Sequence, residues 1–355
     1  MVVTLSFTGR VVLMTMLTRY TLLQSLAEIH FSKVGALDLN QADWDKVLLQ
    51  SNHASTEYLA LTIYYHNAYL LTAKNCSVVI YENNIPVAIW PLTLYQGDNG
   101  IVLQSNCKAI IPPLFADGTS KKTIKKIYQQ CLNVLKEFSL QSNNAIKLSY
   151  SPIDDILWQR TFSSVIKAID YRQYLIANIT AELEDIKKTF RKSYRSLINK
   201  GLKLWHSELH TQMSDNLLQQ FRAFHIQTSG KETRPLSTWV LQQSMVNARE
   251  AFCITLHNEH KKLIGIALFN ISPLEASYSV GVYDRSLFDL PLGHVIQLKA
   301  IEHMKTLGIK RYLLGNRHHL FEQKTPTEKQ NSIGFFKEGF SNSIHIEANA
   351  LLAFD

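Results

Sequence analysis

The segment that most constrains the fold is a strand-like run that leads directly into the start of a helix. Residues 276–283 mix small, aromatic and β-branched side chains, whereas residues 295–308 carry apolar side chains on one helical face and end in a glycine. A helix start exposes unpaired N–H groups at the positive end of the helix dipole, where anionic or strongly polar ligands bind. The pattern therefore predicts an α/β protein with a ligand crevice at this junction.

Two segments with the same order of elements predict two related domains. Residues 77–89 and residues 252–269 are each typical of a strand, a polar turn and a second strand, and each is followed by further strand and helix signals. We expect domains over residues 31–180 and 181–355. A length of 355 residues suits two domains that each bury a core.

Residues 1–30 are expected to be an N-terminal extension. Residues 11–17 form a short apolar patch between Arg10 and Arg19, with no small-residue cleavage site after it. This pattern favours a buried first strand, or an over-long start with Met14 or Met16 as the initiator, over a signal peptide.

Composition indicates a folded protein without a metal centre. The chain is 46% hydrophobic and 19% charged, and it has no apolar run long enough to span a bilayer. The four cysteines are widely spaced, which favours a reducing cytoplasm over a disulfide framework. His303, His318 and His319 have no metal-ligand spacing with nearby cysteines or carboxylates, so we expect no metal site.

The C-terminal half resembles an acyltransferase domain of the GNAT fold. The resemblance rests on a strand, a glycine-marked helix start at Gly293, a second strand over residues 309–315 and a helix ending in Phe-Phe-Lys-Glu-Gly-Phe at 335–340. The basic segment at residues 190–201 is similar to the helix that opens the second domain of FemAB-type double-GNAT transferases. The resemblance implies an α/β protein with mixed sheets, in which tandem GNAT-like domains pack across a central cleft.

This resemblance also implies an activity. We expect an acyl- or aminoacyltransferase that forms an amide on an amino-sugar or peptide precursor of the cell envelope, with acyl-CoA or aminoacyl-tRNA as co-substrate and no tightly bound cofactor. The long helical hairpin of some tRNA-dependent members is absent here, which favours an acyl thioester. The alternatives are an aminoacyl-tRNA-dependent peptidyltransferase and a non-catalytic binding protein for a phosphorylated ligand, because the phosphate loop of acetyl-CoA-dependent enzymes keeps only Gly293.

Basic residues near position 190 are candidates for contacting a phosphate-bearing substrate. Arg191, Lys192 and Arg195 share a helical face, and apolar residues on the other side are expected to fix that face in place. The net charge of +8 agrees with a polyanionic partner. A solvated helix surface is the alternative interpretation.

Candidate catalytic residues lie at the junction itself. Amide formation needs a neutral amine, a polarised carbonyl and a protonated leaving group. Asp284 could accept the proton and Tyr283 or Tyr278 could donate one, although Asp284 could instead cap a turn and the tyrosines could pack in the sheet. The remaining candidates for substrate or donor binding are Arg285, Gly293, His294, Gln297, Glu328 and Lys329, and those at the junction are expected to line one pocket between the domains.

Overall fold

The computed structural model describes residues 7–70, 72–98, 100–319, 322 and 325–354, with side chains from residue 16 onward. The helices of the described chain are α1 (Phe7–His30), α2 (Gln41–Leu49), α3 (Ala60–Tyr69), α4 (Lys121–Ser142), α5 (Ile156–Phe162), α6 (Leu183–Thr189), α7 (Lys192–Leu204), α8 (Asp215–Ser229), α9 (Leu236–Asn247), α10 (Leu292–Thr306) and α11 (Glu328–Glu338).

The strands are β1 (Val34–Ala36), β2 (Lys74–Asn75), β3 (Val78–Glu82), β4 (Ile85–Trp90), β5 (Thr93–Gly97), β6 (Gly100–Gln104), β7 (Leu114–Phe115), β8 (Ile146–Tyr150), β9 (Ile166–Asn178), β10 (His206–His210), β11 (Ala251–His257), β12 (Leu263–Ile271), β13 (Glu275–Tyr283), β14 (Arg311–Arg317) and β15 (Ser343–Leu352). Two compact units share these elements. Unit 1 holds residues 1–53, 66–171 and 347–355, and unit 2 holds residues 54–65 and 172–346.

Unit 1 packs α1 and α4 against short sheets. β1, β3, β4 and β7 form one antiparallel sheet, β2, β5 and β6 form another, and β8 pairs with the end of β15 from Ala348 to Leu352. The N-terminal apolar patch lies in α1, so the strand expected there is wrong. Met16, Leu23 and Ala27 recur at helical spacing and are all buried in the core of unit 1, which explains why this segment is helical.

Unit 2 is built on one twisted sheet with helices on both faces. The strand order is β10-β11-β12-β13-β14-β9, and every pair is antiparallel except β13 with β14. Buried side chains of α7 and α10 make the core on one face, and those of α8 and α9 make a second core on the other. Among the described residues, no helix is long and apolar enough to cross a membrane.

The basic segment near residue 190 is two helices, whereas the sequence predicts one. α6 ends at Thr189 and α7 begins at Lys192, because the backbone N–H of Arg191 bonds to the Gly339 carbonyl, at 2.8 Å, instead of continuing the helix. The expected apolar side of this segment is present, since Phe190, Tyr194 and Ile198 are all buried.

Candidate active site

An opening between β13 and β14 defines the candidate site in unit 2. These two strands pair in parallel only over three residues, from Glu275–Arg311 to Ser277–Leu313. Beyond that point β13 continues to pair with β12 and β14 continues to pair with β9. Backbone N–H and C=O groups of β13 that face the opening are therefore available to a ligand, because no described residue pairs with them in a ladder on that side.

A β-bulge in β13 brings two of the expected catalytic residues together. Side chains five residues apart on a regular strand point to opposite faces of the sheet. The register between β12 and β13 shifts at Ser279, because Leu268 pairs with Val280 but Phe269 pairs with Tyr278. The extra residue puts Tyr278 and Tyr283 on the same face, where their hydroxyl oxygens are 3.1 Å apart.

Gly281 lies between the two tyrosines and makes their contact possible. A Cβ atom at position 281 would lie 1.8 Å from the hydroxyl oxygen of Tyr278 and 3.3 Å from the ring of Tyr283. No side chain fits in that space. The glycine is therefore required for the hydrogen bond between the two phenols.

Lys337 of α11 reaches the same group across the opening. Its ammonium nitrogen lies 5.0 Å from the ring centroid of Tyr278. The nitrogen also lies 2.5 Å from where a Cβ of Gly315 on β14 would be, and the backbone φ of Gly315 is +130°. Within the described chain, no carboxylate or other acceptor bonds to this ammonium. A ligand oxygen is a natural partner for it.

Burial sets the protonation states of these three groups. Burial raises the pKa of Tyr278 to about 12 and holds the pKa of Tyr283 well above its usual range, so both phenols stay protonated at neutral pH. Burial also lowers the pKa of Lys337 to about 8, so the side chain is mostly an ammonium at pH 7 but loses its proton easily. Perturbed groups that converge on an opening are typical of reactive sites.

Asp284 and Arg285 directly follow β13. In this structure Asp284 caps a turn and Arg285 is exposed to solvent. The carboxylate of Asp284 accepts hydrogen bonds from the backbone N–H and the hydroxyl of Ser286, at 3.0 and 2.6 Å, and from Lys262 at 3.1 Å. The Ser286 hydroxyl, aided by Lys262, holds the pKa of Asp284 below its usual range. Asp284 thus caps the short 3₁₀ turn Arg285–Leu287, and Arg285 is exposed. The expected role of Asp284 as a general base stays a prediction.

His294 lies at the start of α10 in an aromatic cage. Its ring stands edge-on to the rings of Tyr194 and Phe336, with centroids 4.5 and 5.1 Å apart, and its buried Nε2 has no hydrogen-bond partner in the described chain. Burial, and then the charge of Arg191, lower the pKa of His294 to about 4. The imidazole is therefore neutral at pH 7.

The other two candidates of α10 have packing roles in this structure. A Cβ at Gly293 would lie 2.8 Å from the ring of Phe336, which therefore covers the glycine at the helix start. Gln297 is fully buried and accepts a 2.6 Å hydrogen bond from the hydroxyl of Tyr312.

Of the three basic candidates, Arg191 is held in place and the other two are free in solvent. The guanidinium of Arg191 stacks on the exposed ring of Phe335, 3.7 Å from its centroid, and donates a 3.0 Å hydrogen bond to the hydroxyl of Tyr194. Lys192 and Arg195 are exposed on α7. Glu328 and Lys329 are exposed at the start of α11.

A second polar cluster on the other face of the unit 2 sheet was not foreseen from the sequence. Arg234 is only 8% exposed, yet no carboxylate of the described chain pairs with it. It donates a 2.9 Å hydrogen bond to the hydroxyl of Tyr65 and stacks on Trp239 at 4.0 Å. Its buried Nε and the buried Nδ1 of His225 have no hydrogen-bond partner there. Arg234 lowers the pKa of His225 in addition to burial, so the cluster carries one uncompensated cation.

Sequence reasoning missed both Lys337 and Arg234 because neither belongs to a motif. Lys337 had one available signal, since it sits inside the Phe-Phe-Lys-Glu-Gly-Phe run on which the resemblance rests. Arg234 gives no such signal, because its burial comes from Trp239 and from a segment 169 residues earlier in the chain.

No family model and no curated protein sequence matches this chain. Solved structures do match. FemX is similar over 89% of this chain and 96% of its own, with 11% identity and a TM-score of 0.66. The C-terminal domain of a putative lysylphosphatidylglycerol synthetase from Agrobacterium fabrum is similar over 88% and 92%, with 12% identity and a TM-score of 0.57. A tandem GNAT protein from the clavulanic acid biosynthesis pathway is similar over 91% and 99%, with 10% identity and a TM-score of 0.50.

At these identities the likeness is one of fold. It extends over nearly the whole length of each chain, so it covers both halves of the protein and not the C-terminal half alone. The chain therefore has the FemX-like, tandem GNAT fold that the resemblance in its C-terminal half implied.

Proposed function

We propose that this chain transfers an acyl or aminoacyl group to an amine and so forms an amide on an amino-sugar or peptide precursor of the cell envelope. The observation that carries the proposal is the group made by Tyr278, Tyr283 and Lys337 at the opening between β13 and β14. One phenol donates to the other, so the second phenol and the ammonium of Lys337 keep donors with no acceptor in the described chain, beside backbone groups that a substrate can pair with. The fold shared with FemX supports the same class of chemistry.

The chemistry follows from what these donors can do. The carbonyl of the donor substrate would lie in the opening, with its oxygen facing the ammonium of Lys337 and the hydroxyl of Tyr278. When the amine attacks, a C–N bond forms and the carbonyl oxygen becomes negative, and both donors stabilise that charge. The C–O or C–S bond of the donor then breaks, and the proton lost by the amine ends on the leaving oxygen or sulfur.

The acyl donor of the proposed reaction is either acyl-CoA or aminoacyl-tRNA. Acyl-CoA and aminoacyl-tRNA present the same carbonyl chemistry, as a thioester and an ester respectively. The ring of Phe336 covers Gly293 at the start of α10, so this helix start is a poor cradle for the pyrophosphate of coenzyme A. The stacked pair Arg191–Phe335 beside exposed Lys192 and Arg195 suits a phosphate-bearing donor of either class.

Arg234 is proposed to hold an anionic group of one substrate. A buried guanidinium without a carboxylate partner is costly, and a bound phosphate or carboxylate would remove that cost. The Arg234→Lys variant keeps the charge but loses the planar fork, so it should raise KM for the anionic substrate about tenfold or more while kcat changes little.

The test is an amide-forming assay with the full chain. Acyl-CoA thioesters and aminoacyl-tRNAs are offered separately with amine-bearing nucleotide sugars or peptides, and the amide is detected by mass spectrometry. We expect product from one donor class. Lys337→Gln and Tyr278→Phe should each lower kcat by about 10²–10³-fold, the usual cost of losing one donor to the oxyanion, with nearly unchanged thermal stability.

Control variants at a lysine and a tyrosine outside the site test whether the loss of rate is specific to Lys337 and Tyr278. Lys310→Gln removes an exposed lysine of unit 2, and Tyr69→Phe removes the hydroxyl of a tyrosine of unit 1 outside the assigned site, so both should leave the rate unchanged. Full activity in both Lys337→Gln and Tyr278→Phe would refute the assigned site. Saturable binding of a phosphorylated ligand with no turnover for any donor would support the non-catalytic alternative instead.

A further inference from the structure

Unit 1 carries a cationic surface that the proposed reaction does not use. The lysine face, as we name it, comprises Lys33, Lys121, Lys122, Lys125 and Lys126, all of which are exposed. Four of its members fall in the first two turns of α4, which begins after the N-cap residue Ser120. The face is therefore concentrated at one end of one helix.

Cations at this end of a helix are unfavourable by themselves. The start of a helix is the positive end of its dipole, and α4 has no acidic residue in its first turn. Of the four lysines, only Lys126 has a carboxylate partner in the described chain, Glu82 at 3.2 Å. Lys121, Lys122 and Lys125 thus form no ion pair among the described residues, which leaves their ammonium groups open to an anionic partner.

Two lysines of the lysine face, Lys33 and Lys126, contact the β3–β4 hairpin or the segment before β1. The ammonium of Lys126 also reaches the hydroxyl of Ser32 at 3.5 Å, and the ammonium of Lys33 bonds to the side-chain oxygen of Asn84 at 3.1 Å. Asn83 and Asn84 form the tight turn, with φ values of 51° and 64°. Ile85, the next residue, is 59% exposed.

A second exposed aliphatic side chain belongs to a segment that contacts the chain just before α4. Leu49 is 76% exposed at the end of α2. The backbone N–H of Asp117, three residues before the helix cap, bonds to the carbonyl of the next residue, Gln50, at 2.8 Å. The carboxylate of Asp117 accepts hydrogen bonds from the backbone N–H and the side-chain amide of Asn52, and it forms no ion pair with these lysines in the described chain.

We propose that the lysine face docks unit 1 on an anionic lipid bilayer. The lysines would bind lipid phosphates, while Ile85 and Leu49 enter the boundary between the headgroups and the acyl chains. Single-stranded RNA is the other polyanion to consider, but proteins that bind it present exposed aromatic rings for base stacking. The exposed apolar side chains at this face are aliphatic, which favours the bilayer.

The experiment is vesicle co-sedimentation of the full chain. Vesicles of phosphatidylcholine alone are compared with vesicles that also contain phosphatidylglycerol, at low and high salt. We expect binding only to the anionic vesicles, and weaker binding at high salt. The double variant Lys121→Gln/Lys122→Gln should bind about 25-fold more weakly, since each lysine near an anionic surface contributes roughly fivefold.

Two further variants separate the apolar contribution of Ile85 from the electrostatic contribution of the lysine face. Ile85→Ser should weaken binding at both salt concentrations, because it removes apolar contact and leaves the charge unchanged. Lys136→Gln, an exposed lysine further along α4 and outside the lysine face, should bind as the wild type does. Equal binding of wild type and double variant, or equal binding to neutral and anionic vesicles, would overturn the proposal. Binding to homopolymeric RNA but not to vesicles would replace it with a nucleic-acid surface.

Discussion

At the scale of single residues, the candidate site depends on a glycine. Gly281→Ala would place a methyl group in the space that the Tyr278 hydroxyl occupies, so the phenol must move and the pair with Tyr283 must break. We expect kcat to fall about 10²-fold, as for the loss of one oxyanion donor. Steady-state kinetics and a melting curve check this.

The neighbouring variant Ser279→Ala is the control for Gly281→Ala. Ser279 is exposed at the bulge, so its hydroxyl can be removed without crowding the tyrosines. A Gly281→Ala enzyme with full kcat would show that the tyrosine pair is not needed for the reaction.

The charge of Lys337 predicts an alkaline limit to the reaction. If the ammonium stabilises the oxyanion, kcat falls as pH rises through about 8, where burial has placed the pKa of this lysine. Lys337→Arg keeps its charge at every accessible pH, so its lower rate should show no such fall. A pH–rate profile of both proteins measures this. The same alkaline fall in the arginine variant would assign it to another group.

Asp155 predicts a pH dependence of stability in unit 1. Burial is the main cause that raises the pKa of this carboxyl from 3.8 to about 6. The folded state thus prefers the neutral carboxyl of Asp155. Ionising this carboxyl as pH rises from about 4 to above 6 lowers the free energy of unfolding. At pH 7.5 the cost is about 3 kcal/mol, from roughly two pKa units.

Asp155→Asn tests this, because asparagine stays neutral and can still accept the 2.7 Å hydrogen bond from the Ser151 N–H. Urea unfolding should show the variant more stable than the wild type at pH 7.5, and nearly equal to it at pH 4. A gain of the same size at both pH values would mean that the charge of Asp155 is not the cause.

At the scale of elements, the close packing of α7 on α10 positions His294 and the basic side chains. Gly201 of α7 permits this approach, because a Cβ there would lie 2.5 Å from Val295 and 3.0 Å from the carbonyl of Pro291. Gly201→Ala should destabilise unit 2 by about 1–3 kcal/mol by overpacking, although alanine is the better helix former. Urea unfolding measures the loss, and Lys200→Ala on the exposed side should show none. Unchanged stability of the glycine variant would show that the helices can separate freely.

At the scale of the whole molecule, the chain interleaves its two units. The end of β15 belongs to unit 1, where Ala348, Ala350 and Leu352 are buried and the strand pairs with β8. A chain stopped after Ile346 should therefore lose hydrogen-exchange protection in β8, since that edge and its core contacts are gone. A chain stopped after Leu352 keeps every β8–β15 pair and should retain protection. Full protection of β8 in the shorter chain would contradict this assignment.

The sequence by itself determined the local elements and the fold class. The mixture of small, aromatic and β-branched residues identifies β13, the apolar helical face identifies α10, and the Phe-Phe-Lys-Glu-Gly-Phe run carries the resemblance to the tandem GNAT fold. These signals are readable because each depends on neighbours within a few residues. The sequence also identifies Tyr278 and Tyr283 as candidate proton donors, because both lie in the strand that leads to the helix start.

The tertiary structure decided which side chains meet. A bulge at Ser279 puts the two tyrosines on one face, and α11 brings to them Lys337, which lies more than fifty residues later in the chain. The break before α7 comes from a hydrogen bond to Gly339, and the burial of Arg234 comes from Tyr65. The bulge forms only when β13 pairs with β12, and the other contacts join residues far apart in the chain. No local pattern encodes them, because their free energy exists only once the elements have packed.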